Sequence, residues 1–381
     1  MKKNIIIPTF FICFFICISI NAQLKNPQNL PYNWKTDTTK RTTQLSDLIV
    51  TTPKDILPTL DFPKFITQDN SDYHFYDHEP VIVITENGET KAYPLSLLTM
   101  YELTNDRIGG KQIMVSYCPM CNSAMCYNRK LVKDGVEYLL NFGISGLLMH
   151  DDMIMYDRET ETWWEQIMGE AMVGELAGSN LEMMSALIIS AEDYFDRYPG
   201  GLILSPVGLK LREDGKIHRP FYHLDHDKTK VDPKYIVSEK FDDRLPPLER
   251  VLDIHVFDHD KIYPFSAIAE KQVINEVFYD TELVIFYHDK TVSVLDEDDL
   301  TKSKRVGSAT AFAADLDGIN YTFKKYGEYF MDNETGSIWD ITGYCREGEL
   351  KGKQLWILPH SNHFAFAYLA FYPKSEIYGQ D

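Results

Sequence analysis

The sequence predicts an α+β, β-rich protein built from two pseudo-symmetric copies of one β-rich unit, the product of an internal duplication. Three observations predict this. The segment Asp157-Arg158-Glu159-Thr160, Trp164, Gly169, Gly174-Glu175-Leu176, Gly178, Leu181 returns as Asp332-Asn333-Glu334-Thr335, Trp339, Gly343, Gly348-Glu349-Leu350, Gly352, Leu355. Upstream, Lys91-Ala92-Tyr93-Pro94-Leu95-Ser96 matches Lys261-Ile262-Tyr263-Pro264-Phe265-Ser266. The apolar run 113–117 matches 283–287, and each run ends on a residue with ligand chemistry, Cys118 in one and His288 in the other. The period is too long for a solenoid, so two paired domains are expected, at 80–206 and 250–381.

The elements of the first unit follow in order. Residues 81–85 read as a strand, Asn87-Gly88 as a hairpin turn and 90–93 as the return. A short helix is expected over 95–103, starting after Pro94. Residues 112–117 read as a buried strand, and 124–129 and 136–142 as two more around the turn Lys133-Asp134-Gly135. Gly143-Ile144-Ser145-Gly146 is read as a turn that lets another strand approach closely. A hairpin follows at 153–157 and 162–166, then a glycine-rich stretch at 169–178 that must turn repeatedly. A helix at 191–198 and a strand at 202–205 close the unit. Residues 23–79 are read as a polar arm and 207–249 as a connector rich in proline and histidine.

Residues 1–22 have the pattern of a secretory signal: Lys2-Lys3, an apolar run over 5–20, and Asn21-Ala22 at a cleavage point. The mature chain is then expected to be exported, periplasmic or extracellular, with no transmembrane segment after cleavage. A formal charge of −19 with no basic patch speaks against nucleic acid as a partner. The chain has no phosphate-binding glycine loop, nucleophile elbow or His-Glu-x-x-His helix.

Of six cysteines, Cys13 and Cys17 lie in the signal, leaving Cys118, Cys121, Cys126 and Cys345. Cys118-Pro119-Met120-Cys121 is the sharpest local feature, because two thiols at this spacing reach a common point. One reading is a soft-metal site, copper preferred over zinc, since a structural zinc site should bring a second Cys-x-x-Cys. Cys118, Cys121, His150, Met155 and His288 are its candidate ligands, with Met120, Met125 and Met153 as further sulfurs nearby. A second reading is a thiol–disulfide oxidoreductase with Cys118 as the attacking thiol, although the residues after Cys121 read as strand rather than helix. A third is a non-enzymatic binding module with a structural Cys118–Cys121 disulfide, its Gly and Trp segments shaping a groove. Whether the protein is an enzyme stays open.

Other polar residues take plainer readings. Asp157 and Asp332 recur three residues before a Thr and are expected to hold turns. His218, His223 and His226, beside Asp225 and Asp227, could bind a divalent metal, but a solvated connector is the preferred reading. His360 and His363 sit near a helix-like segment, with nothing nearby in sequence to complete a ligand set.

Taken together, several stretches resemble an uncharacterised prokaryotic family, domain of unknown function 3179. They are Tyr117-Cys118-Pro119-Met120-Cys121-Asn122-Ser123-Ala124, Phe142-Gly143-Ile144-Ser145-Gly146-Leu147-Leu148, Met155-Tyr156-Asp157-Arg158-Glu159-Thr160, and Trp164-Glu165-Gln166-Ile167-Met168-Gly169-Glu170-Ala171. Gly174-Glu175-Leu176-Ala177-Gly178 and the segment 243–252 also fit. The resemblance runs from about residue 50 onward. It implies no particular activity, and His150 and the His360/His363 pair are local variations on it.

Overall fold

A computed structural model describes residues 34–69, 75–208, 221, 223–232, 236, 241–257 and 259–380. The expected signal segment and His218 lie outside them. The described chain is β-rich with four short α-helices, in line with the α+β expectation.

The first unit opens with β1 (Pro80–Glu86) and β2 (Glu89–Pro94), antiparallel around Asn87-Gly88. Val81 to Ile84 are all buried, as expected of a strand covered on both faces. Pro94 presets the entry to α1 (Leu95–Tyr101), which ends on Glu102 in the left-handed region at φ 55°. A meander follows: β3 (Leu103–Ile108), β4 (Lys111–Cys118) and β5 (Ser123–Asn128). Next come β6 (Phe142–Met149), β7 (Asp152–Asp157), β8 (Trp163–Glu165) and β9 (Ala171–Val173), paired in sequence order. Finally β10 (Leu187–Ser190) returns to β1, α2 (Ala191–Arg197) crosses over, and β11 (Leu202–Leu204) pairs parallel to β2.

Residues 250–377 run through the same order. β12 (Arg250–Val256) and β13 (His259–Pro264) pair with Val251 opposite Pro264, just as Val81 lies opposite Pro94. α3 (Phe265–Lys271) starts after Pro264 and ends on Gln272 at φ 64°. The meander is β14 (Val273–Phe278), β15 (Thr281–His288) and β16 (Ser308–Ala313). β17 (Phe323–Tyr326), β18 (Tyr329–Asp332), β19 (Ile338–Trp339) and β20 (Cys345–Glu347) form the second four-stranded sheet. β21 (His360–Phe364) returns to β12, α4 (Ala365–Phe371) crosses over, and β22 (Glu376–Ile377) pairs parallel to β13.

The recurring residues do the same job at both places. Asp157 Oδ2 accepts the indole N–H of Trp164 at 2.9 Å, and Asp332 Oδ2 accepts that of Trp339 at 2.8 Å. Each Asp also accepts the amide of the Thr three residues on, at 2.6 Å. Gly169 and Gly343 have φ 66° and 73°, and a Cβ there would meet the rings of Tyr127 and Phe312 at 2.6 Å. Both demands, the backbone conformation and the missing side chain, require glycine.

Two sequence expectations need correction. The strand expected over 136–142 is split: Val136–Leu139 pairs with Lys130–Lys133 in a small hairpin, and β6 begins afresh at Phe142. Gly143 to Gly146 is not a turn but part of β6, with a register shift between Ile144 and Leu147. Gly146, at φ 77°, brings the backbone so close to Thr52 that a Cβ would lie 2.1 Å from its carbonyl oxygen. The arm contributes edge pairing here, with Ile49–Val50 on β6, Leu60–Asp61 on β3 and Phe65–Ile66 on β11.

The largest apolar core spans both units, joining β4, β5 and α1 to residues of β12, β21 and α4. Each meander end meets the other unit's closing segment. The turn after β4 touches β21, where the Phe364 amide donates to the Cys121 carbonyl at 2.7 Å. The end of β15 touches α2, where His288 Nδ1 lies 3.1 Å from Asp193 Oδ2.

Candidate metal centre

β4 ends on Cys118, which pairs in register with Ser123, so residues 119–122 form the tight link between β4 and β5. Asn122 takes φ 50° to make the turn, and its side-chain oxygen accepts from the Tyr117 hydroxyl at 3.1 Å. This geometry folds Cys121 back over Cys118. Both are free thiols, 1% and 0% exposed.

The third member arrives from β7. The turn between β6 and β7 passes through His150 and Asp151, both at positive φ, and delivers Asp152 beside the thiols. One Sγ from each cysteine and one Asp152 carboxylate oxygen lie within 4.8 Å of one another. Asp152 is 0% exposed, and among the described residues no amide, hydroxyl or cationic side chain donates to its carboxylate. Its neighbours are the two thiols and the carboxyl of Glu165, at the end of β8. Glu165 is held by the amides of Ile167 and Met168, the first at 2.9 Å.

Electrostatics follow from burial. Loss of water pushes the Cys121 thiol well up, and Cys118, Asp152 and Asp151 add to the shift. Burial likewise drives the Asp152 carboxyl up, with Cys118 contributing, and the Glu165 carboxyl up, with Asp152 contributing. Three acidic groups crowd one dry space, and each is pushed toward its neutral form.

The other sequence candidates are placed elsewhere or only nearby. Met155, Met125 and Met153 are buried in the same apolar core as the thiols, with Met120 packed against it. His150 is not in the three-donor group; its ring meets that of Phe371 edge-on at 5.2 Å. His288 is not brought to the thiols either. Its Nε2 lies 3.0 Å from Glu328 Oε2, and with Asp193, Lys290 and Arg346 it lines a separate cavity of about 590 Å³. The matching strand ends face opposite closing segments, so matching positions do not converge. The sequence reading named neither Asp152 nor Glu165 as a ligand, although Glu165-Gln166 has no counterpart in the second series, which has Asp340-Ile341; carboxylates are frequent in an acidic chain, and only the pairing of β7 with β6 and β8 brings these two inward.

A second polar cluster borders the site from the other unit. His360 and His363 lie on strand β21, not on a helix. His363 is 0% exposed, its ring nitrogens make no hydrogen bond, and its Nε2 stands 3.4 Å from Asp253 Oδ1. Burial pushes the Asp253 carboxyl up, but His363 and His255 hold it well below the usual carboxylate range. Burial lowers His255, and Asp253 and Asp260 override this and raise it to about 9.

The buried thiols and tryptophans bear on the alternatives. An exchange enzyme needs an accessible attacking thiol, and Cys118, the thiol expected to attack, is buried with its partner Cys121. A groove built by tryptophan needs exposed rings, whereas Trp163, Trp164 and Trp339 are 1%, 0% and 0% exposed.

A family model described as "Protein of unknown function (DUF3179)" matches residues 54–375. The chain belongs to this family. No curated protein and no solved structure matches it. The match covers both series of elements up to α4 and every residue of the Cys118, Cys121, Asp152 and Glu165 cluster.

Proposed function

We propose that this DUF3179 member is an exported metal-binding protein that holds one ion with Cys118, Cys121 and Asp152. The observation that carries the reading is Asp152: a fully buried carboxylate with no cationic partner among the described residues, beside two buried thiols and the Glu165 carboxyl. An unpaired buried carboxylate costs several kcal/mol or must neutralise. A divalent cation removes that cost and draws both thiols into the thiolate form.

Two sulfurs alone suit copper and zinc alike. The carboxylate shifts the preference from copper to zinc, because a hard oxygen donor suits Zn²⁺ better than Cu(I). Glu165 then plays the supporting part. Its carboxyl, kept protonated by burial and by Asp152, donates to the outer Asp152 oxygen and orients it. We also infer that the two series of elements descend from one duplicated unit. The matched registers and the repeated Asp–Trp and Gly–ring contacts support it.

The test is metal analysis of reduced, full-length protein, with Cys118→Ser and Asp152→Asn alongside. About one zinc-class ion per chain is expected in the wild type, with loss in both variants. A wild-type protein that takes up neither zinc nor copper after reduction overturns the reading.

A further inference from the structure

A second set of metal-ligand groups lies on the far side of the connector. His223 and His226 come from the connector, and Glu297 comes from residues 289–307, which join β15 to β16. In the first unit the matching link is residues 119–122, the thiol turn itself. Where one series places Cys121, the other inserts a longer segment that reaches out to the connector.

The geometry around His226 calls for a cation. Its Nε2 faces His223 Nδ1, lies 3.1 Å from the Asp296 carbonyl oxygen, and 3.5 Å from carboxylate oxygens of both Asp296 and Glu297. An imidazole nitrogen carries at most one hydrogen, so it cannot serve this many acceptors. One nitrogen from each histidine and one Glu297 oxygen lie within 4.8 Å of one another, close to the spread of donors around a single ion. Hydrogen bonds fix the two segments: the His223 amide of the connector donates to the Asp296 carbonyl at 2.8 Å, and within the inserted segment the Lys304 amide donates to the Asp296 side chain at 2.7 Å.

We propose that His223, His226 and Glu297 bind a divalent ion of the zinc class, clasping the connector to the inserted segment. Two imidazoles and a carboxylate form a donor set that leaves further coordination positions to water. His226 is 42% exposed, so the site is open to exchange, unlike the sealed thiol centre. It also lines a cleft of about 560 Å³ with Lys228, Glu249 and Lys304.

The experiment is titration of the full-length, reduced protein with Co²⁺ and then Zn²⁺, for wild type, His226→Ala, Glu297→Gln and Cys118→Ser. Thiolate ligation gives intense near-ultraviolet charge-transfer bands with cobalt; a His/carboxylate site gives only weak visible bands. His226→Ala and Glu297→Gln are expected to weaken one binding event at least tenfold and leave any thiolate band intact. Cys118→Ser is expected to leave that event unchanged. Identical titrations for wild type, His226→Ala and Glu297→Gln overturn the proposal. A missing thiolate band with the His226-dependent event preserved counts against the buried centre alone.

Discussion

The Phe364 amide donates to the Cys121 carbonyl at 2.7 Å, so the closing strand of one unit fastens the thiol turn of the other. Phe364 is itself 0% exposed and lies in the core that contains both cysteines. Phe364→Ala is expected to lower stability by about 3–5 kcal/mol. It should also speed modification of Cys118 and Cys121 by a thiol reagent under native conditions. Denaturant melts and timed labelling with mass mapping read the two effects. Labelling as slow as wild type would show that the Phe364 ring is not needed to close the turn.

Glu165 separates a charged from a protonated support for Asp152. Glu165→Ala is expected to weaken zinc affinity by about 10–100-fold. Glu165→Gln, whose NH2 can donate to Asp152 and whose oxygen accepts the Ile167 amide but which leaves the Met168 amide without an acceptor, is expected to lose less than Glu165→Ala. Competition with a chromophoric chelator measures both. Equal losses in the two variants would mean that the carboxyl acts as an anion.

The paired turns make equivalent predictions at distant places. Asp157→Ala and Asp332→Ala each strand a buried indole N–H and a Thr amide. Each is expected to cost about 1–3 kcal/mol, read from urea unfolding. A near-zero cost at either position would refute the role of its carboxylate.

Gly169→Ala combines a positive φ with a ring at 2.6 Å, whereas Gly88→Ala has positive φ and open space. Gly88→Ala is expected to cost about 1–2 kcal/mol of backbone strain. Gly169→Ala should exceed it by about 1–3 kcal/mol of overpacking. Thermal melts of the two variants compare clash with strain directly.

Glu102 ends α1 and burial raises its carboxyl to about 8. The folded form therefore binds a proton that the unfolded chain gives up near its ordinary value of 4.5. Stability from this group is full below the unfolded value and falls as pH rises toward 8. The matching residue in the second unit is Gln272, which carries no charge. Glu102→Gln is expected to stabilise by up to a few kcal/mol at pH above the folded value, with the gain vanishing in acid. A gain independent of pH would assign it to packing instead.

Much of the architecture was legible because local rules and long-range matches agreed. Pro94 and Pro264 mark helix starts, Asn87-Gly88 marks a hairpin, and the repeated Asp, Trp and Gly each have a contact that demands them. The thiol pair was legible from spacing alone. Asp152 was not, because nothing local distinguishes it from Asp151; it is the pairing of β7 that turns it inward. His288 shows the opposite limit. Both strands end alike, with Cys118 opposite Ser123 and His288 opposite Ser308, yet each end packs on a different closing segment, so the two side chains stand apart. The register shift in β6 was hidden for a similar reason: Gly146 answers to Thr52, far away in sequence.

β22 is laid beside β13 only when residues 376–377 are in place, and β21 needs residues 360–364. β21 lies more than two hundred residues beyond the thiol turn, so the cover over Cys121 is a contact of long sequence separation, the kind that is slow to close in folding.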